Sequence, residues 1–94
     1  MIQSFACKET EKIWYQIRPK GLPFDILKRA LMKLDMIDCA RDINDLRTPP
    51  GNHLEALKGD RAGEHSIKIN DQWRICFVWD NGNARNVKIE DYHK

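Results

Sequence analysis

The spacing of hydrophobic positions changes near the middle of the chain. Up to about residue 40 they recur at three and four, and from about residue 66 they recur at two. Thr10, Ile13, Trp14 and Ile17 predict a helix over roughly residues 8–17, stopped by Arg18-Pro19-Lys20-Gly21. Phe24, Leu27, Leu31 and Leu34 follow the same spacing, with Ile26, Ala30 and Ile37 widening the stripe. They predict a second helix over roughly residues 23–39, with Asp25, Lys28, Arg29, Lys33 and Asp35 on its remaining surface. Thr48-Pro49-Pro50-Gly51 is a loop signature. Leu54 and Leu57 mark a short strand or irregular segment. Residues 66–70 alternate, with Ile67 and Ile69 on one face. Residues 73–79 are apolar at nearly every position, as in a central strand covered on both sides. Asp80-Asn81-Gly82-Asn83 predicts a tight hairpin, because Asn-Gly accepts the positive φ angles of a type I′ turn. Residues 85–89 alternate again.

With residues 1–5 read as an edge strand, the order is strand, two helices, then an antiparallel meander. The expected fold class is therefore α+β, a helical hairpin packed on one face of an antiparallel sheet. The 94 residues suit a single domain spanning 1–94. A composition 41% hydrophobic and 32% charged is that of a globular chain. No apolar run approaches the roughly 20 residues that cross a bilayer, and residues 1–5 lack a basic lead and apolar signal core. Cys7, Cys39 and Cys76 are odd in number and set in apolar patterns, which reads as reduced, mostly buried thiols of a cytoplasmic protein. A net charge of +2 is too small for free-standing nucleic-acid binding.

Chemistry concentrates in the second half. Arg74 interrupts the apolar run, and a charge there must meet a partner or a cleft to avoid a large desolvation cost. Pairing with Glu64 or Asp91 is one solution; facing a phosphate with its planar fork of donors is the other. The sequence leaves both open. A three-residue turn at residues 70–72 would set Lys68 opposite Arg74. His53 and Glu55 flank Leu54 and would share a face of an extended strand, as base and orienter or as exposed polar groups. Lys58-Gly59-Asp60-Arg61 reads as a solvated turn. Glu90-Asp91-Tyr92-His93 sets proton-transfer groups side by side at the end of the last strand. His53, His65 and His93 lack helical metal-ligand spacing, no two cysteines are close, and no Gly-rich elbow surrounds a serine. Neither a metal nor a cofactor is expected.

Three groups of residues carry a family resemblance over essentially the whole chain. They are Pro49-Pro50-Gly51-Asn52-x-Leu54-Glu55-x-Leu57-Lys58-Gly59-Asp60-Arg61, then Ser66-Ile67 with Ile69-Asn70-Asp71-Gln72-Trp73-Arg74-Ile75, and Asp91-Tyr92-His93. In order and spacing they resemble the HigB toxins of type II toxin–antitoxin systems, within the RelE/ParE superfamily. The resemblance implies a RelE-like fold and a metal-independent endoribonuclease that cuts messenger RNA in the ribosomal A site. It maps function onto Lys58, Arg74, Asp91, Tyr92 and His93. Many relatives carry a histidine two residues before the Leu-Lys-Gly motif; this chain has Glu55 there and a histidine at His53, so Glu55 or His53 is the candidate base. The implied partners are a helix-turn-helix, HigA-like antitoxin that makes the DNA contact, and the ribosome with its message. The alternative is a non-catalytic toxin resembling ParE, which inhibits DNA gyrase by protein–protein binding.

Overall fold

Four strands form the antiparallel sheet in the order β1 (Glu55–Ala56), β2 (Glu64–Lys68), β3 (Trp73–Asp80) and β4 (Asn83–Asp91). They belong to a computed structural model that describes residues 1–92. Two helices, α1 (Lys8–Trp14) and α2 (Leu27–Cys39), pack together against one face of the sheet, as the helical periodicity predicts. No helix among the described residues is long and apolar enough to cross a membrane.

The core lies between α2 and the sheet. Strand pleating sends Ile67, Ile75, Phe77, Val87 and Ile89 to the helical side, where they meet Ala30, Leu34 and Ile37. The line of α2 that is buried runs through Ile26, Ala30, Leu34 and Ile37, one step around from the line the spacing favours. Phe24 falls in a 3-10 turn (Phe24–Ile26) ahead of α2 and is 70% exposed, with the Arg18 guanidinium 5.1 Å from its ring centre. Lys33, expected on the polar surface, is instead buried. The first helix also ends early. Gln16 takes a φ of 60°, which turns the chain out of the helix, so Ile17 is exposed. What α1 does bury includes Thr10, whose Oγ1 accepts a hydrogen bond from the Ile89 amide at 3.0 Å.

Residues 1–5 do pair along the outer edge of β4, but as two isolated parallel bridges, Ile2 to Ala84 and Phe5 to Val87. A continuous strand cannot form because β4 bulges between them, where Asn86 has a φ of 53°. The Ser4 hydroxyl bridges the gap by accepting from the Asn86 amide at 2.9 Å. β2 begins two residues before the alternating run and ends at Lys68. The turn to β3 is set by Asn70, whose side-chain oxygen accepts from the amides of Gln72 and Trp73. That turn places Lys68 directly opposite Arg74, as a short connection requires. Cys39 is exposed, so burial holds for Cys76 but not for all three thiols.

The hairpin between β3 and β4 has the left-handed φ values of a type I′ turn, 49° at Asn81 and 81° at Gly82. A Cβ on Gly82 would also stand 3.1 Å from the Arg41 carbonyl oxygen. Gly82→Ala should therefore destabilise the protein by about 1–2 kcal/mol, read as a lower urea midpoint with an unchanged slope.

Candidate active site

On the sheet face turned away from the helices, Arg74 is 8% exposed, and neighbouring segments satisfy most of its guanidinium. Nε donates to the Ser66 hydroxyl at 2.9 Å, from the neighbouring strand. Nη2 donates to the His53 carbonyl and, at 3.3 Å, to that of Ser66. Nη1 faces the Glu55 carboxylate at 3.9 Å, and the Tyr92 ring lies 5.5 Å from the guanidinium carbon. Neither Glu64 nor Asp91 is its partner. Glu64 is taken by Arg61, and Asp91 lies on the other side of the pleat.

His53 reaches this site by a route that alternation does not describe. It ends a 3-10 turn (Pro50–Asn52) with a φ of 44°, so it stands outside any strand, and only Glu55 belongs to β1. The left-handed residue turns its carbonyl to Arg74 while His53 and Glu55 line one open cleft of about 370 Å³. Lys68, Asp71, Arg74 and Tyr92 are among its other walls. Lys68 Nζ and Asp71 Oδ1 stand 2.8 Å apart across the turn, and that bond holds the Asp71 carboxyl below its ordinary range. Burial pushes the Tyr92 phenol up, with Cys76 and Glu55 adding to the shift. At neutral pH it is therefore a neutral ring with a hydroxyl donor.

Two further site candidates, Lys58 and Asp91, lie elsewhere. Lys58 is exposed ahead of a 3-10 turn (Gly59–Arg61), does not line the cleft, and makes no ion pair among the described residues. Asp91 pairs with Trp73 in register, opposite in parity to Arg74 and Tyr92, and accepts from Gln72 Nε2 at 3.1 Å. His93 lies outside the described residues. Ser66 was legible only from register, as the small polar residue one pleat along from Lys68, and Asn70 only as a turn former.

Beside the cleft a second polar layer covers the same face. Arg61, expected in a solvated turn, donates to both oxygens of Glu64 at 3.1 and 2.8 Å and to Glu90 at 2.6 Å. Cys76 is buried beneath it, and burial together with the Glu90 carboxylate pushes its thiol up to about 12. That thiol is no nucleophile at neutral pH.

Known proteins of the same shape and sequence identify the class. The chain superposes on the YoeB–YefM complex from Staphylococcus aureus with a TM-score of 0.63 at 21% identity, covering 100% of this chain and 97% of the other, so the fold is that of a RelE-like toxin. Residues 3–93 match the HigB-like toxins, described as RelE-like toxins of the type II toxin–antitoxin system HigB. Toxin HigB-1 of Vibrio cholerae serotype O1 is 40% identical over 77 residues, 82% of this chain and 80% of that protein. Endoribonuclease HigB of Proteus vulgaris is 37% identical over 93 residues, 99% and 100% of the two chains. The chain belongs to the HigB family of type II toxin–antitoxin toxins.

The Arg61 layer has a pH signature. Burial raises the Glu90 carboxyl, but bonds from Arg61 and Cys76 prevail and hold it below its ordinary range. Its contribution to stability is therefore complete above the unfolded value near 4.5 and is lost as pH falls through the lower folded value. Glu90→Gln should cost about 1–2 kcal/mol at pH 7 and less below pH 4, measured by urea unfolding across that range.

Proposed function

We propose that this toxin is a metal-independent endoribonuclease that cuts translated messenger RNA in the ribosomal A site. The observation that carries the reading is a buried guanidinium opening on a cleft, flanked by a carboxylate and a phenol, in a family with a relative named as an endoribonuclease. The ribose 2′-hydroxyl attacks the adjacent phosphate, its proton passes to a base, and the 5′-oxygen leaves with a proton from an acid. The phosphate closes on the 2′-oxygen as a cyclic ester. Arg74 stabilises the negative charge that builds on the phosphate oxygens, since its position is set before substrate arrives. Glu55 or His53 is the base, because both border the cleft. Tyr92 stacks on a base or donates to the phosphate. Lys58, Asp91 and His93 belong to the proposed set through the family motif, with His93 and Asp91 in the proton transfers and Lys58 as a second cation that enters when RNA is bound.

A net charge of +2 leaves substrate alignment to the ribosome, which converts a weak encounter into an oriented one. The chain acts as one domain in the cytoplasm, held in check by a helix-turn-helix antitoxin that also makes the DNA contact. The gyrase-inhibitor alternative has no observation in its favour: it has no use for the cleft around Arg74.

Primer extension on a translated message tests the reading. Induction should produce cuts within codons only where the RNA is being translated, and Arg74→Ala should lower the rate about 10²-fold or more at every pH. If Glu55 is the base, Glu55→Gln costs more than His53→Ala; if His53 is, the order reverses. Growth arrest that survives Arg74→Ala, Glu55→Gln and His53→Ala, each folded by circular dichroism, would sink the ribonuclease.

A further inference from the structure

Behind the β2–β3 turn a second cleft of about 370 Å³ lies against α2, bordered by Arg29, Lys33, Lys68, Gly51 and Asn70. It shares Lys68, Asn70 and Asp71 with the Arg74 cleft, so the two adjoin on either side of the same turn. Lys33 is its least expected member. The side chain is 7% exposed, yet its ammonium has a neutral amide as its partner, Asn52 Oδ1 at 2.5 Å. An ammonium carries three donors, and no carboxylate stands within ion-pair distance of it among the described residues. A buried cation without a counter-charge is costly unless something supplies one. Burial, with Arg29 nearby, lowers its pKa accordingly.

Arg29 adds a second cation aimed the same way. It is exposed, and its Nη1 donates to the Ile69 carbonyl at 3.3 Å, which holds the guanidinium over the turn. Three cations thus border the cleft against one carboxylate, Asp71, whose side chain is fully exposed where it pairs with Lys68. Opposite them the wall is bare backbone at Gly51, where a Cβ would meet no atom within 4 Å.

We infer that this cleft is a second phosphate subsite, which takes the backbone phosphate next to the scissile one on the same RNA strand. The inference rests on the ribonuclease reading of the Arg74 cleft. Lys33 and Arg29 bind and position the strand, and neither touches the reacting atoms. A polyanion with one charge per nucleotide fits a cationic cleft adjoining the Arg74 cleft better than a single small anion would.

Ribosomes programmed with a message carrying a neutral methylphosphonate at one linkage at a time separate the two sites. Neutralising one of the linkages that flank the cut should slow the wild type roughly tenfold. Arg29→Gln and Lys33→Met should slow cleavage of the unmodified message by a similar factor and lose most of their sensitivity to that linkage. A wild type indifferent to both flanking linkages, or variants as sensitive as the wild type, overturns the subsite and leaves the ribonuclease standing. A wild type that leaves the unmodified message uncut overturns both. Should Lys33→Met fail to fold, the exposed Arg29→Gln decides alone.

Discussion

A guanidinium buried inside a β-sheet is the constraint that organises this molecule. Leaving the Arg74 charge unsatisfied in the strand would cost several kcal/mol, so every neighbour is arranged around it. The demand is met by a hydroxyl on β2, a backbone carbonyl from the preceding loop, a carboxylate on β1 and an aromatic face at the end of β4. Those four groups come from three separate stretches of the chain. Satisfying one cation therefore also assembles a cleft, and the geometry useful for charge stabilisation is a by-product of solving a solvation problem. The left-handed conformation of His53 makes sense in the same terms, because it delivers a carbonyl where a regular strand would not.

The outward sheet face divides between two arginines with different surroundings. Arg74 is nearly buried at the wall of the cleft; Arg61 is more exposed and is bonded to Glu64 and Glu90, with a thiol beneath. One has a single carboxylate 3.9 Å away, the other is bonded to two carboxylates. The contrast sets two differently surrounded arginines on a single pleated surface.

Much of this was legible from periodicity. The helical hairpin, the central position of β3, the Asn-Gly turn and the pairing of Lys68 with Arg74 all follow from spacing and turn chemistry. Most of the failures share a cause: they depend on a contact between distant segments. Phe24 fits the apolar stripe of α2 but precedes the helix, so its angle around the axis is lost. Lys33 reads as surface because its amide partner is 19 residues away. Arg61 reads as solvated because one of its carboxylates lies 29 residues on. Asp91 and Tyr92 are neighbours in sequence, yet pleating sends them to opposite faces, and only Tyr92 reaches Arg74. Within the site the motif located Arg74, Glu55 and Tyr92, while Ser66 and the His53 carbonyl needed the register and a positive φ.

The pairing of residues 1–5 with β4 carries a consequence for how the toxin comes into being. Its hydrogen bonds join positions about as far apart as this chain allows, such as Gln3 to Ala84 and Ala6 to Val87. Closing such a large loop must precede any reward from the contact, so this edge forms late and slowly compared with the helical hairpin. Tyr92 beneath Arg74 imposes the same order on the cleft. During synthesis, then, the hairpin can fold as it emerges, but the groove around Arg74 stays unfinished until the C-terminal strand is free to dock. The topology gives the newborn chain an interval in which it is partly folded and its cleft is not yet built.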